Sequence, residues 1–167
     1  MIRSTVLALG AAVLLAAPAL AQQPVAPPPI PYGAPIGLDT AKRAAAAAHA
    51  QAMKINVPMA IVVVDPAGQV VYAEKMDGVQ NSSFDIAVDK ARSAALYKRS
   101  TKVFLDALTK GGDGLRFLAL RGAIPVDGGQ PLVVDGRIIG AIGLSGGAGE
   151  QDGECARAGA DALAKAS

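Results

Sequence analysis

The sequence predicts one α/β domain in which helices flank a mainly antiparallel sheet. Two pairs of apolar runs are each joined by a short turn segment, Asp65-Pro66-Ala67-Gly68 in the first pair and Asp135-Gly136 in the second. Such turn residues between apolar runs are typical of β-hairpins, whose strands are antiparallel. Alanine-rich segments with helical spacing surround these pairs, and amphipathic helices of this kind bury their apolar side against a sheet.

Residues 1–21 are predicted to be a secretory signal peptide. Arg3 precedes an apolar run that ends at Ala19-Leu20-Ala21, and small residues at these spacings are typical of a cleavage site. The run is too short to span a membrane as a helix, so no membrane span is expected after cleavage. We therefore expect a periplasmic or secreted protein.

Residues 22–36 are predicted to be a Pro-rich linker. The stretch "QQPVAPPPIPYGAP" contains six prolines, which prevent a helix and favour extended polyproline geometry. It is interpreted as a stalk, a linker or a strap laid on a neighbouring surface. The folded domain then comprises residues 37–167.

The first half of this domain predicts a helix and a hairpin. The segment "LDTAKRAAAAAHAQAMKI" is predicted to be helical, with Asp39 or Thr40 as its N-cap. Its buried stripe, at helical spacing, consists of Ala41, Ala45, Ala48, Ala52 and Ile55. The runs "MAIVVVD" and "QVVYAEK" are the two strands of the first hairpin.

The second half predicts two more helices, a second hairpin and a final helix. Ser82 and Asp85 have the spacing of a capping box at the start of "SSFDIAVDKARSAALYKR". The apolar stripe of this helix consists of Phe84, Ala87, Ala91, Ala94 and Ala95. The segment "TKVFLDALTKGG" is a shorter helix ended by glycine, and "QPLVVD" and "RIIGAIGLS" are the strands of the second hairpin. The last helix follows them.

Composition excludes several classes of function. The formal net charge of +2 indicates neither a nucleic-acid partner nor binding to an anionic membrane surface. The sequence has one cysteine and one histidine, so it contains no Cys/His cluster with zinc spacing and cannot form a disulfide within one chain. Stability must come from packing or assembly, and we expect a homo-oligomer with an even subunit count.

The stretch "GLSGG" matches the pattern of a nucleophile elbow, which would make Ser145 a catalytic serine. Only 22 residues follow Ser145 and none is a histidine, whereas an α/β-hydrolase has its acid and histidine after the serine. We therefore expect no catalytic residue here. Two interpretations stay open: a tight turn with close backbone packing, or an anion-binding turn formed by Ser145, Gly146 and Gly147.

Four stretches together resemble the GlcG/HbpS family, which also includes the C-terminal domain of PduO. They are "MAIVVVDPAGQVVYAEKMDG", "DKARSAALYKRST", "GGQPLVVDGRIIGAIGLSGG" and "EQDGECARAGADAL", and the resemblance extends from Leu38 to about Leu163. It implies a profilin-like fold, with an antiparallel sheet of about five strands flanked by helices, usually in oligomers. One departure is Lys75 in "KMDG", where the family usually has arginine; lysine would clamp a carboxylate less rigidly.

The resemblance also implies a ligand, because secreted members of the HbpS type bind haem. Some members are linked to haem degradation or to redox sensing with a partner kinase, so an envelope protein partner is also expected. The sole histidine, His49, lies at the edge of the alanine stripe and is the candidate metal ligand of haem iron. An ordinary edge histidine is the alternative interpretation.

Other candidate ligands have simpler interpretations. Thr101 matches a segment near the haem in the family, but a helix cap explains it equally well. Met53 shares the face of His49 and is interpreted as packing. Cys155 is interpreted as buried packing rather than a thiolate ligand. Tyr72 and Tyr97 are further candidate ligands without supporting evidence in the sequence.

Three classes of function stay open. The first is an exported haem-binding protein that handles haem or senses redox state. The second is a small-molecule binding protein or accessory enzymatic subunit of the GlcG/PduO type, with the "GLSGGAGEQD" turn holding a carboxylate or aldehyde. The third is an oligomeric accessory protein with neither activity.

Overall fold

The computed structural model of the chain describes residues 28–164, so the predicted signal peptide and the start of the Pro-rich segment lie outside the described residues. The elements in chain order are α1 (Leu38–Lys54), β1 (Ala60–Val64), β2 (Val70–Lys75), α2 (Ser83–Tyr97), α3 (Lys102–Thr109), a 3-10 helix (Gly112–Ala119), β3 (Gly129–Val134), β4 (Arg137–Ser145) and α4 (Gly149–Ala164). No helix within residues 28–164 is both long enough and apolar enough to cross a membrane.

The strands form one antiparallel sheet in the order β2-β1-β4-β3, which confirms the predicted fold class. The expected number of about five strands was wrong by one, because the described residues form four. The Pro-rich segment contributes only an isolated bridge between Tyr32 and Ile138. Proline has no N–H to donate to a ladder, which explains why this segment does not extend into a fifth strand.

Both predicted hairpins are confirmed, and local turn chemistry explains each. In the first turn, Asp65 Oδ1 accepts the N–H groups of Ala67 at 2.8 Å and Gln69 at 2.9 Å. In the second turn, Asp135 and Gly136 both have positive φ, at 50° and 68°. Two consecutive residues with positive φ match the right-handed twist of the strands they join.

Helices cover both faces of the sheet. On one face, the alanine stripe of α1 is buried together with α4 and the side chains of Ile61, Val63, Ile142 and Leu144. On the other face, Ala87, Ala91, Ala94 and Ala95 of α2 pack against Val62 and Val64. A Cβ at Gly143 would overlap the Ala87 carbonyl oxygen, so this glycine lets α2 lie directly on β4.

The predicted helix caps were wrong. Helix α1 has Gly37 at its N-cap position, while Asp39 lies in the first turn, where its charge is favourable near the helix N-terminus. Ser82 precedes α2 with helical angles, φ −68° and ψ −20°, and makes no capping hydrogen bond. A capping side chain requires an extended backbone at this position, so the Ser82–Asp85 box does not form.

The end of the Pro-rich segment lies on the same chain's own domain. Pro31 O accepts the N–H of Ile138 at 2.9 Å, and the N–H of Ile36 reaches Ile139 O at 2.8 Å. The Tyr32 hydroxyl donates to Ala95 O at 2.9 Å, with the Lys98 ammonium 4.0 Å from the ring centre. These contacts hold the segment beyond the end of β1, alongside β4.

Candidate functional site

His49 lies on α1 beside the buried residues Ala48 and Ala52, at the edge of the helix face that packs on the sheet. Its side chain is 42% exposed, and its Nδ1 atom is 2.7 Å from Glu74 Oε1. The predicted position at the edge of the stripe is therefore confirmed. Its partner Glu74 could not be predicted from the sequence, because it is 25 residues away on β2.

Strand β2 places a tyrosine and a glutamate below His49. Tyr72 and Glu74 are two residues apart and so point to the same face, the face on which Ile61 and Val63, their neighbours across β1, pack against α1. The Tyr72 hydroxyl donates a hydrogen bond to Glu74 Oε2 at 2.8 Å. That hydrogen bond, with burial as a smaller cause, raises the pKa of Tyr72 above its usual range.

An open groove of about 550 Å³ begins at His49. Its size is within the range of small-molecule sites. It is formed by the end of α1, the loop to β1 and the end of β2, with the lining residues His49, Ala52, Met53, Asn56, Val57, Pro58, Lys75, Met76 and Asp77. The groove thus combines an imidazole and apolar walls with one lysine, one aspartate and one asparagine.

The walls of the groove are supported from below. Met76 Sδ accepts the N–H of Met59 at 3.3 Å, which joins the end of β2 to the segment before β1. Lys75 Nζ donates to Asn81 Oδ1 at 3.1 Å and is exposed at the groove rim. Among the residues that line the groove, Lys75 is the one lysine or arginine.

Thr101 does not share a site with His49 in this chain. It is fully buried, and its Oγ1 accepts the N–H of Gly129 at 2.9 Å. Gly129 begins β3, which is at the opposite edge of the sheet from β2. The side of Gly129 that faces Thr101 also faces Lys90 of α2, so Thr101 lies on the α2 face of the sheet, opposite α1. Three strand spacings correspond to roughly 14 Å. Thr101 does occupy the N-cap position of α3, as the cap interpretation predicted, but its hydroxyl makes no capping bond and instead ties α3 to β3.

The amides of the Ser145-Gly146-Gly147 turn already bind a carboxylate of the chain. Asp152 Oδ1 accepts the N–H groups of Gly146 at 3.1 Å and Gly147 at 3.0 Å. Ser145 itself is the buried last residue of β4 and pairs with Ala60 of β1. The turn has the anion-binding geometry that its glycines indicate, but a ligand would have to displace Asp152.

A buried ion pair completes this turn, and sequence analysis missed it. Lys90 Nζ donates to Asp152 Oδ2 at 2.6 Å and to Leu144 O at 3.0 Å, with both side chains almost fully buried. Burial raises the pKa of Asp152, opposed by Lys90 and the glycine amides. Lys90 is three residues after Ala87 and therefore lies on the buried face of α2. This helical spacing could have indicated a buried lysine that needs an acidic partner.

Of the remaining candidate ligands, Cys155 and Tyr97 lie away from the groove, whereas Met53 lines it. Cys155 is fully buried, and desolvation raises its pKa to about 11, which keeps the thiol protonated. The Tyr97 hydroxyl donates to Arg121 O at 2.8 Å, and its ring packs on Phe104. Met53 lines the groove one turn after His49 and is 61% exposed, so its interpretation as a packing residue was wrong. Within residues 28–164, no three His, Cys, Asp or Glu side chains cluster as a metal site would require.

Residues 36–161 match the family described as haem-degrading HbpS-like proteins. An uncharacterized 15.0 kDa protein of Citrobacter freundii is 37% identical over 121 residues, which cover 71% of this chain and 85% of the relative. The solved structure of a double mutant of HbpS from Streptomyces reticuli superposes with a TM-score of 0.71 at 28% identity, covering 89% and 98% of the two chains. The solved structure of a PduOC–haem complex superposes with a TM-score of 0.69 at 27% identity, covering 77% and 95%.

Proposed function

We propose that this chain, which belongs to the family of haem-degrading HbpS-like proteins, binds haem in the groove beside His49. The observation that carries the proposal is the position of His49, the sole histidine, on the groove wall with Nδ1 engaged by Glu74. This arrangement leaves Nε2 as the nitrogen for a metal. Histidine ligands of metals commonly have their other nitrogen bonded to a carboxylate in this way.

The residues of the groove fit a haem group. Ala52, Met53, Val57 and Met76 supply apolar contacts for a flat macrocycle, and the small Ala52 leaves room next to His49. Lys75 at the rim would pair with a carboxylate of the haem. Bound haem would supply an iron centre capable of redox chemistry. The chain's own residues would orient that centre, shield one face from water and hold the ligating imidazole.

Titration of the mature protein with haemin, followed by absorption, tests the proposal. We expect one saturable site per chain and a Soret band that shifts on binding. The variant His49→Ala should bind more weakly or show a different Soret maximum. Met53→Leu is the matched control, since it keeps the groove wall apolar but removes the thioether sulfur, the second potential iron ligand on the same helix face. The absorption spectrum of this variant should match that of the wild type. The absence of saturable binding, or an unchanged His49→Ala spectrum, would refute the assignment.

The proposal extends to export of the protein, its assembly into a homo-oligomer, and haem degradation or redox sensing. The N-terminal sequence pattern supports a periplasmic or secreted protein, and the alanine- and glycine-rich helix surfaces support a homo-oligomer. The family description supports haem degradation, and the resemblance supports redox sensing with an envelope partner. Loss of the Soret band when a reductant is added to the haemin complex in air would support turnover, and a stable band would favour storage or sensing.

A further inference from the structure

Glu74 is bonded at both carboxylate oxygens, by groups on two different elements. Oε1 is 2.7 Å from His49 Nδ1 on α1, and Oε2 accepts the Tyr72 hydroxyl at 2.8 Å on β2. The Glu74 side chain is 26% exposed. Its orientation is therefore fixed by the sheet through Tyr72, and it meets the imidazole from the side opposite Nε2.

This geometry determines which nitrogen of His49 carries the hydrogen. A carboxylate only accepts hydrogen bonds, and a neutral imidazole has one N–H and one bare nitrogen. A short contact between Nδ1 and the carboxylate thus requires the hydrogen on Nδ1. The bare lone pair is then on Nε2, the nitrogen that a metal or an acidic ligand group would meet.

We propose that Glu74, held in place by Tyr72, is a positioning residue that fixes His49 as the Nδ1–H tautomer and presents a bare Nε2 to the groove. The part of this inference that concerns ligand affinity depends on the proposed haem function. The tautomer itself is a property of the free protein. Hydrogen bonding of this kind fixes the tautomer and the ring orientation of a ligating imidazole.

The tautomer can be measured without any ligand. Because the sequence has a single histidine, the long-range ¹H–¹⁵N correlation spectrum of the uniformly ¹⁵N-labelled protein shows one imidazole, which needs no assignment. For the wild type at a pH where His49 is neutral, we expect a protonated Nδ1 and a bare Nε2. In Glu74→Ala, we expect the two nitrogen shifts to move toward each other as the second tautomer becomes populated.

Glu154→Ala is the matched control. Glu154 Oε1 accepts a hydrogen bond from Gln51 Nε2 of the same helix α1 at 2.6 Å, so this variant also removes a glutamate bonded to α1. It should leave the histidine spectrum unchanged. Tyr72→Phe removes only the tether and should give a shift between those of the wild type and Glu74→Ala. The backbone amide spectrum confirms that each variant is folded.

The haemin titration supplies the second measurement. Loss of the partner of a ligating histidine typically costs 10–100-fold in metal affinity, so Glu74→Ala should raise the dissociation constant by about 10-fold or more. Glu154→Ala should not. If the wild type has a bare Nδ1, or if folded Glu74→Ala retains the wild-type tautomer, the inference is wrong even if haemin binds. If the tautomer behaves as expected but haemin does not bind, the proposed function fails and the positioning role stands.

Discussion

Removal of Lys90 should destabilise the domain strongly, because it would leave the Asp152 charge buried. The two side chains are only 1% and 3% exposed, and their 2.6 Å contact joins α2 to α4 beneath the 143–147 turn. Breaking a buried ion pair by removing one partner costs about 3–5 kcal/mol. Because Asp152 retains the amide bonds of Gly146 and Gly147, we expect Lys90→Met to lower the free energy of unfolding by about 3 kcal/mol.

The loss of stability in Lys90→Met should depend on pH. Burial already raises the pKa of Asp152, and removing Lys90 would raise that pKa further, since Lys90 is the first of the opposing causes. An acid whose pKa is higher in the folded state than in the unfolded state loses stability as pH rises through that range. The variant should therefore be less destabilised at about pH 5 than at about pH 7.5.

Urea unfolding followed by circular dichroism at both pH values measures this difference. Lys102→Met is the control, because Lys102 makes an equally short contact with Asp106 but both side chains are about half exposed. It should hardly move the unfolding midpoint. A second variant, Lys90→Met with Asp152→Asn, should recover part of the loss because it removes the unpaired charge. A loss below about 1 kcal/mol in Lys90→Met, or one independent of pH, would refute the reasoning.

Four further predictions concern single features. Cys155 should react with a disulfide reagent at neutral pH only when the protein unfolds, because a thiol pKa of about 11 leaves little thiolate in the native state. For the same reason, the free energy of unfolding should fall as pH rises above the usual thiol range. Fast stoichiometric labelling of the native protein would contradict this. Ser145→Ala should lower stability by less than about 1 kcal/mol, because the Ser145 hydroxyl makes no hydrogen bond within residues 28–164 while the backbone pairing with Ala60 is kept, and it should remove no esterase activity; an ester hydrolysis lost in this variant would reinstate Ser145 as a nucleophile. Mass spectrometry of the exported protein should show Gln22 as its first residue, and an exported protein that still begins with Met1 would contradict cleavage after Ala21. Light scattering at micromolar concentration should show an even-numbered oligomer, and a monomer alone would contradict it.

Local features account for what could be predicted of the fold. Glycine adopts positive φ freely and aspartate does so more readily than most residues, so the pair Asp135-Gly136 is enough to predict the second hairpin. Alanines three and four residues apart share a helix face, so the buried sides of α1 and α2 follow from spacing. Caps were less predictable, because Ser82 requires an extended backbone that the preceding turn does not provide.

The sequence by itself determined the α/β class, both hairpins, the inward helix faces and the edge position of His49, because each depends on residues close together in the chain. Only the tertiary structure decided that Glu74 bonds His49, that Asp152 occupies the glycine amides, and that Thr101 lies on the opposite face of the sheet. The contacts of Glu74 with His49 and of Thr101 with Gly129 join elements that strand order and register bring together. Asp152 is only five residues from Gly147, but its second oxygen is bound by Lys90, which lies far away in the chain on α2. From the sequence alone, a polar side chain has many potential hydrogen-bond partners, and only the packed structure determines which of them lies within hydrogen-bond distance.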